Sequence, residues 1–156
     1  MDYLSADSLR ALVIASLLSI AVAFAGCDSG GSSSSRDVAE TFTVTVEDTT
    51  SSYPYVDQNT IGVAYAINGK VGRVITLQRG ETYEFVLDYS SNHPYYVGTN
   101  AKGKGTGRYS NGVETPNGNN SQGVSVFFTV PSSAPDSLFY QCGIHAYMGG
   151  KMSITN

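Results

Sequence analysis

The distribution of apolar residues divides the chain into two regions. Residues 11–25 form an uninterrupted run of fifteen uncharged residues, ALVIASLLSIAVAFA. From about residue 40 onward, apolar and polar residues alternate, as they do around Phe42, Val44 and Val46. Alternation with a period of two places successive apolar side chains on one face of a β-strand. The pattern therefore predicts an apolar leader followed by a β-rich region.

Short apolar or alternating segments recur between turn signals throughout the second region. Asn68-Gly69 and Arg79-Gly80 are typical of turns between strands, and Pro131 ends an apolar run. Residues 98–122, dominated by Gly, Asn, Ser and Lys, are predicted to form a loop. Regularly spaced short strands without helical periodicity indicate an all-β sandwich or barrel. The predicted strands cover residues 41–46, 61–67, 71–77, 82–87, 93–97, 124–130, 137–142 and 151–156.

The apolar leader ends in the sequence FAGC, residues 24–27, and a Ser- and Gly-rich stretch follows it. A run of this length matches the apolar region of a signal peptide and is short for a membrane span. Small residues directly before Cys27 resemble a bacterial lipobox, in which the cysteine is lipidated and becomes the mature N-terminus. The predicted organisation is a lipoprotein signal peptide at 1–26, a flexible tether at 27–39 and a folded domain at 40–156.

The lipobox resemblance implies an exported protein. A lipid on Cys27 would hold it at the cell membrane or the outer membrane, with its domain facing the periplasm or the exterior. One alternative is an uncleaved anchor helix. A core helix that buries Cys27 is disfavoured, because the Ser- and Gly-rich stretch that follows cannot pack.

Composition excludes several classes of function. The chain has 9 Lys and Arg residues against 13 Asp and Glu residues, a net charge of −4. Binding to a nucleic acid is not expected, because neutralising phosphates requires clustered cations. Only two Cys and two His residues are present. That number is too small for zinc fingers, iron–sulfur clusters with four thiolates or multicopper oxidases, and it allows one modest metal site.

Three residues with soft or borderline ligand atoms lie close together near the C-terminus. Cys142, His145 and Met148 fall within seven residues, between two predicted strands. A thiolate, an imidazole and a thioether suit copper that cycles between its two oxidation states. A trigonal site needs a second imidazole, and His93 is the only other histidine in the sequence. Each residue also has a simpler interpretation, with Cys142 and Met148 as core residues and His93 as an ordinary turn residue.

The pairing of Cys142 is a separate question. An unpaired thiol in an exported protein is a liability unless it is buried or ligated to a metal. A disulfide between Cys27 and Cys142 is the competing explanation. Cys27 lies beside a long tether, so such a bond would constrain the fold little. We therefore expect Cys142 to be a thiol that is available as a ligand.

These residues and their spacing resemble the cupredoxin family, the blue copper proteins that include plastocyanin. The family pattern is an upstream His, then Cys-x-x-His and a Met in the loop before the final strand, which here reads His93, Cys142, His145 and Met148. The resemblance implies a Greek-key β-sandwich of about seven to eight strands. Further segments similar to cupredoxin-like domains of exported bacterial proteins are Tyr65-x-Ile67-Asn68-Gly69, Arg79-Gly80-x-Thr82-Tyr83-x-Phe85, Asn92-His93-Pro94-Tyr95-Tyr96, Phe128-x-Val130-Pro131 and Leu138-Phe139-Tyr140-x-Cys142.

The resemblance also implies a ligand set for one copper ion, Cu+ or Cu2+. The four residues of the pattern would bind it, with Met148 in the weak axial position and Met152 in an inward core position of the last strand. Only two residues separate His145 from Met148, where plastocyanin has four. Met152 is therefore kept as the alternative axial ligand.

The loop that would carry three of these ligands must turn tightly. Gly143 and Gly150 are expected to allow its turns, because glycine adopts backbone conformations that other residues avoid. Backbone amides of the loop are expected to donate hydrogen bonds to the sulfur of Cys142.

The function that the resemblance implies is transfer of single electrons and not catalysis. A site of two His, one Cys and a weak Met suits both oxidation states of copper, so little rearranges when an electron moves. We expect a monomer that is tethered to a membrane by its lipid and exchanges electrons with redox protein partners. The alternatives are a non-redox protein that holds or delivers copper and a metal-free surface module. A small basic cluster of Lys102, Lys104 and Arg108 belongs either to a solvated loop or to a docking surface for an acidic partner.

Overall fold

The computed structural model describes residues 36–90, 92–116 and 120–156. The predicted signal peptide, the lipidation site Cys27 and residues 27–35 of the tether lie outside the described residues. Within the described part of the chain, no helix is long and apolar enough to cross a bilayer.

Ten strands make up the described region. They are β1 (Glu40–Asp48), β2 (Val63–Ile67), β3 (Lys70–Val71), β4 (Ile75–Gln78), β5 (Thr82–Leu87), β6 (Tyr95–Gly98), β7 (Val113–Glu114), β8 (Ser125–Thr129), β9 (Ser137–Cys142) and β10 (Gly150–Thr155). β3 and β7 have only two residues each. The other eight agree with the number of strands that the sequence predicts.

The strands form two mixed sheets. The first has six strands in the order β3-β2-β1-β5-β8-β7, and the second has four in the order β4-β10-β9-β6. β1 pairs in parallel with β5, and β10 pairs in parallel with β4, while the other pairs are antiparallel. A single cluster of buried apolar residues contains side chains from both sheets. This arrangement is a β-sandwich, which confirms the predicted all-β class.

Alternation along the strands decides which side chains form the core. In β5, Tyr83, Phe85 and Leu87 are buried and the residues between them are less so. Phe42 of β1 is the register partner of Phe85, and their ring centroids lie 5.3 Å apart. Met152 in β10 is fully buried in the same core, in the inward position that was predicted. Burial of these apolar faces is the main force that holds the two sheets together.

The single strand predicted over residues 71–77 is wrong. Val71 ends β3 in the first sheet, and Ile75 begins β4 in the second. Between them, Gly72 has a φ of 60°, a left-handed conformation that glycine adopts at little steric cost. A Cβ on Gly72 would also lie 2.6 Å from the ring of Tyr53. The chain changes sheets here, and the sequence does not reveal the change because apolar residues suited to strands stand on both sides of the turn.

The segment predicted as a loop over residues 98–122 contains regular pairing among its described residues. β7 pairs with β8. Isolated bridges join Gly98 to Arg108 and Gly103 to Ala146. The second bridge brings this segment against the loop that follows β9, and so places it beside the candidate site.

Candidate metal centre

Pairing of β6 with β9 brings the two halves of the candidate site together. The strands run antiparallel, with Tyr95 opposite Cys142. His93 lies two residues ahead of Tyr95 and therefore precedes β6, whereas the sequence predicts it inside a strand at 93–97. In an antiparallel pair, moving back along one strand corresponds to moving forward along the other. His93 consequently lies beside the residues that follow Cys142, in the loop between β9 and β10 (residues 143–149, the ligand loop).

His93, Cys142 and His145 form a cluster whose ligand atoms all lie within 4.8 Å of one another. The Nδ1 atoms of the two imidazoles are 3.0 Å apart, and each lies 3.8 Å from the Cys142 Sγ. In a triangle with sides of 3.0, 3.8 and 3.8 Å, the point equidistant from the corners lies about 2.1 Å from each, near the bond lengths of about 2.0–2.3 Å that zinc makes with imidazole and thiolate. The three donors therefore surround a point at which a first-row transition metal ion fits.

The cluster lies where the core of the sandwich meets the surface. Cys142 is a free thiol and is fully buried. His93 is also buried, His145 is half-buried, and Ile144 between the two loop ligands is 44% exposed. The sulfur is thus shielded from water while His145 remains partly accessible.

Two backbone N–H groups of the ligand loop donate to the cysteine sulfur. The amides of Ile144 and His145 each lie 3.4 Å from the Cys142 Sγ. Hydrogen bonds of this kind fix the position of the sulfur and tune a metal bound to it. The expectation that loop amides hold the sulfur is confirmed.

The protonation state of His93 also suits a metal. Burial, and to a smaller extent the neighbouring His145, lowers the pKa of the His93 imidazole. The neutral imidazole, which is the form that binds metals, is favoured as a result. Both rings turn Nδ1 towards the sulfur, so His93 and His145 offer the same type of atom to the centre of the cluster.

Both methionines considered as axial ligands are fully buried. Met148 belongs to the ligand loop, and its carbonyl accepts a hydrogen bond of 2.8 Å from the backbone N–H of Tyr65. Met152 lies in β10, where it pairs with residues of both neighbouring strands, Leu138 among them. Burial alone does not separate the two candidates, but only Met148 lies in the ligand loop with His145.

Contacts with distant segments hold the ligand loop in its conformation. Tyr147 has a φ of 54°, which is uncommon for a residue with a side chain. Its N–H donates to the Lys102 carbonyl at 2.7 Å. Its own carbonyl accepts hydrogen bonds from the Tyr53 hydroxyl at 2.8 Å and the Asn59 side-chain amide at 3.0 Å. The loop geometry therefore depends on residues that no local motif identifies.

The glycines of the site act through close packing and not through special backbone angles. Gly143 and Gly150 were expected to allow tight turns through backbone conformations that other residues avoid. That reason is wrong, since neither has a positive φ. A Cβ on Gly149 would overlap the Tyr140 carbonyl, and one on Gly150 would overlap the Tyr140 hydroxyl. A Cβ on Gly143 would lie 3.1 Å from the guanidinium of Arg108. Gly149 and Gly150 therefore exclude side chains because Tyr140 approaches them closely, whereas at Gly143 the exposed Arg108 side chain would have to shift slightly.

Two tyrosines hold the backbone of His93. The hydroxyls of Tyr65 in β2 and Tyr89 after β5 donate to the His93 carbonyl at 2.7 and 2.6 Å. Burial raises the pKa of Tyr65 far above its usual value and that of Tyr89 to about 12, so both phenols stay protonated as donors. Sequence reasoning assigned neither residue to the site: Tyr65 stands only in a segment that indicates the fold, and nothing local distinguishes Tyr89 among 11 tyrosines.

A basic segment packs against the ligand loop. The backbone N–H of Lys104 donates to the Cys142 carbonyl at 2.9 Å, and Gly103 forms a bridge with Ala146. The side chains of Lys102, Lys104 and Arg108 are exposed. Neither of the ion pairs seen among residues 36–90, 92–116 and 120–156 involves them. Their positive charge is therefore not neutralised by an ion pair within the described fold.

No family profile and no curated protein sequence matches this chain. Several solved structures do match it. Reduced rusticyanin is 14% identical, with a TM-score of 0.43 over 74% of this chain and 79% of its own. Rusticyanin from Thiobacillus ferrooxidans is 13% identical, with a TM-score of 0.41 over 74% of this chain and 77% of its own. A variant of the McoA multicopper oxidase from the hyperthermophile Aquifex aeolicus is 20% identical, with a TM-score of 0.42 over 77% of this chain and 27% of its own.

The architecture and the site together agree with the resemblance seen in the sequence. Two mixed sheets form an all-β sandwich, and its strand pairing joins an upstream histidine to a cysteine and a second histidine near the last strand. Met148 follows in the same loop. These observations match the fold and the ligand pattern that the resemblance to the cupredoxin family implies.

Proposed function

We propose that this protein is a blue copper electron carrier. The observation that supports the proposal is the convergence of the Cys142 thiol with the imidazoles of His93 and His145, in a cluster that contains no carboxylate among the described residues. These three residues would hold one copper ion, with Met148 as the axial ligand. The bound ion would supply a centre that alternates between Cu+ and Cu2+.

The role of the protein is to keep the ligands in place while the charge of the metal changes. His93 and Cys142 lie at adjacent ends of the directly paired strands β6 and β9. The amides of Ile144 and His145 hold the sulfur. Since the fold already assembles these donors, little rearrangement accompanies a change of oxidation state. No residue is assigned an acid–base or nucleophilic role, and the proposed function is not enzymatic.

Copper loading of the purified full chain tests this proposal. After titration with Cu2+, we expect one copper per chain, an intense blue or green colour and a compressed hyperfine splitting in the electron paramagnetic resonance spectrum. A colourless protein that binds only Cu+ would instead be a copper-holding protein. A chain that binds neither ion would contradict the proposed site.

Replacement of Met148 tests the axial ligand. A weak axial thioether tunes the potential more than it holds the metal. Met148→Leu should therefore keep the colour and shift the reduction potential, by about 59 mV for each tenfold change in the relative affinity for the two copper states. The potential is measured by redox titration of the visible band.

Met152→Leu is the matched control for that substitution. Both methionines are fully buried, and the exchange conserves volume, so it should cost less than about 1.5 kcal/mol and leave the potential nearly unchanged. A shifted potential in Met152→Leu together with an unchanged one in Met148→Leu would move the axial ligand to β10.

We also propose that the protein is exported and held at a membrane by a lipid on Cys27. The support is the sequence alone, with its apolar leader, lipobox-like FAGC and Ser- and Gly-rich tether. Cys27→Ser should release nearly all of the protein from membranes, because several acyl chains anchor a bacterial lipoprotein far more firmly than one. Membrane pelleting measures the release, and a variant that still pellets would contradict lipidation of Cys27.

The proposed partners are redox proteins that present an acidic surface to a monomer of this chain. The exposed side chains of Lys102, Lys104 and Arg108 support this choice. Their segment contacts the ligand loop, in a chain whose net charge is −4. A local positive surface on an acidic protein favours an encounter in which the metal centre approaches an acidic partner.

A further inference from the structure

The carbonyl of His93 has an exceptional environment for a backbone group outside a strand. His93 precedes Pro94, so the peptide group that joins them has no N–H, and both residues lie ahead of β6. No strand ladder therefore holds this peptide. Its carbonyl instead accepts the hydroxyls of Tyr65 and Tyr89 at 2.7 and 2.6 Å.

We propose that Tyr65 and Tyr89 are positioning residues of the metal centre, which hold the His93 imidazole at its ligating position by both donating to its backbone carbonyl. The inference rests on the proposed copper function and extends it to two residues that contribute no ligand atom. Two donors at short distances restrict the carbonyl more than one would, since the peptide plane can no longer turn about a single hydrogen bond.

Tyr65 connects both sides of the site. Its hydroxyl holds the His93 carbonyl, and its backbone N–H donates to the Met148 carbonyl at 2.8 Å. Its ring is fully buried in the core of the sandwich. One rigid residue of β2 therefore sets the distance between the His93 segment and the far end of the ligand loop.

Tyr89 contacts the same histidine through its ring as well as its hydroxyl. Its ring centroid lies 6.4 Å from that of the His93 ring, edge to face at 69°. It also lies 5.7 Å from the ring centroid of Tyr65, so the two phenols pack together as they converge on one acceptor. The ring contact remains in a Tyr89→Phe variant, which removes the hydroxyl alone.

Phenylalanine variants separate the hydroxyls from the rings. Groups that orient a metal ligand typically change metal affinity by about 10- to 100-fold when they are removed. We expect the copper affinity to fall by about tenfold in Tyr65→Phe and in Tyr89→Phe, and by more in the double variant. The hyperfine splitting and the reduction potential of the double variant should change as well, which a purely structural effect on folding would not produce.

Tyr96→Phe is the matched control. Tyr96 is also a buried tyrosine, it lies three residues after His93, and its hydroxyl donates to the Thr106 carbonyl at 2.9 Å instead of to His93. Its copper affinity and spectrum should equal those of the wild type. If the folded double variant also matches the wild type in both properties, the two tyrosines do not position His93.

A measurement without copper keeps this inference distinct from the proposed function. In metal-free, ¹⁵N-labelled full chain, the imidazole resonances of His93 should broaden or shift in the double variant and stay unchanged in Tyr96→Phe. A wild type that binds no copper would refute the copper function, and these resonances would then decide the positioning role alone. Unchanged His93 resonances would overturn it. If the double variant does not fold, Tyr89→Phe is measured by itself. An unchanged copper affinity together with unchanged His93 resonances in that variant would then contradict the proposal.

Discussion

Replacement of Cys142 by serine should abolish the intense visible absorption of the copper-loaded protein and leave the sandwich folded. The absorption of a blue copper site arises from charge transfer between the thiolate and the metal, and a serine hydroxyl at neutral pH supplies no thiolate. Copper should still bind weakly through His93 and His145, whose Nδ1 atoms lie 3.0 Å apart. The loss of colour is measured by visible spectroscopy at equal copper loading.

The thermal stability of the same variant measures the lost affinity. Copper in excess stabilises the folded state in proportion to the logarithm of its affinity, so each tenfold loss removes about 1.4 kcal/mol of that stabilisation. Cys27→Ser is the matched control, because it makes the same exchange outside the described fold and should keep the colour. An equal copper-induced rise in melting temperature for both variants would exclude Cys142 as a significant ligand.

Replacement of Gly149 by alanine should destabilise the metal-free protein by about 3 kcal/mol or more. A Cβ at this position would overlap the Tyr140 carbonyl in β9, and backbone atoms there cannot move without disturbing the pairing of β9 with β10. The Gly149 carbonyl also accepts a hydrogen bond from the Tyr53 hydroxyl at 2.8 Å. The displaced loop should bind copper more weakly as well. Urea unfolding of the metal-free protein gives the free energy directly.

Gly123→Ala provides the comparison. Gly123 has a φ of 73° and nothing within 4 Å of an added Cβ, so its substitution tests backbone strain without overlap. That strain should cost about 1–2 kcal/mol. If Gly149→Ala is no more destabilising than Gly123→Ala, the close approach of Tyr140 does not constrain the ligand loop.

The features that could be predicted from the sequence are those that depend only on residues close together in the chain. Period-two alternation predicts β1, β5, β8, β9 and β10 within a few residues of their observed bounds. It does so because the side of the sheet that a residue faces follows from its position within its own strand. The candidate ligands could also be named in advance. With only two histidines in the chain, the imidazoles had to be His93 and His145.

Prediction failed where the chain passes from one sheet to the other. The segment from 71 to 77 is predicted as one strand, but Gly72 turns it between sheets and Val71 and Ile75 pair with different partners. The segment from 98 to 122 shows the opposite error, in which pairing was not predicted where it occurs. It lacks a strand pattern, and yet part of it pairs with β8 and with the ligand loop.

The sequence by itself determined the strand content, the apolar faces of the sandwich and the chemical types available for a metal site. Only the tertiary structure decided how those ligand types meet. The pairing of Tyr95 with Cys142 sets His93 beside His145, 52 residues away in the chain. The Tyr65 hydroxyl reaches the His93 carbonyl across 28 residues. Such contacts are chosen by the register of strands and the packing of two sheets, which depend on the whole core at once, whereas alternation and residue type are local properties that any short segment carries.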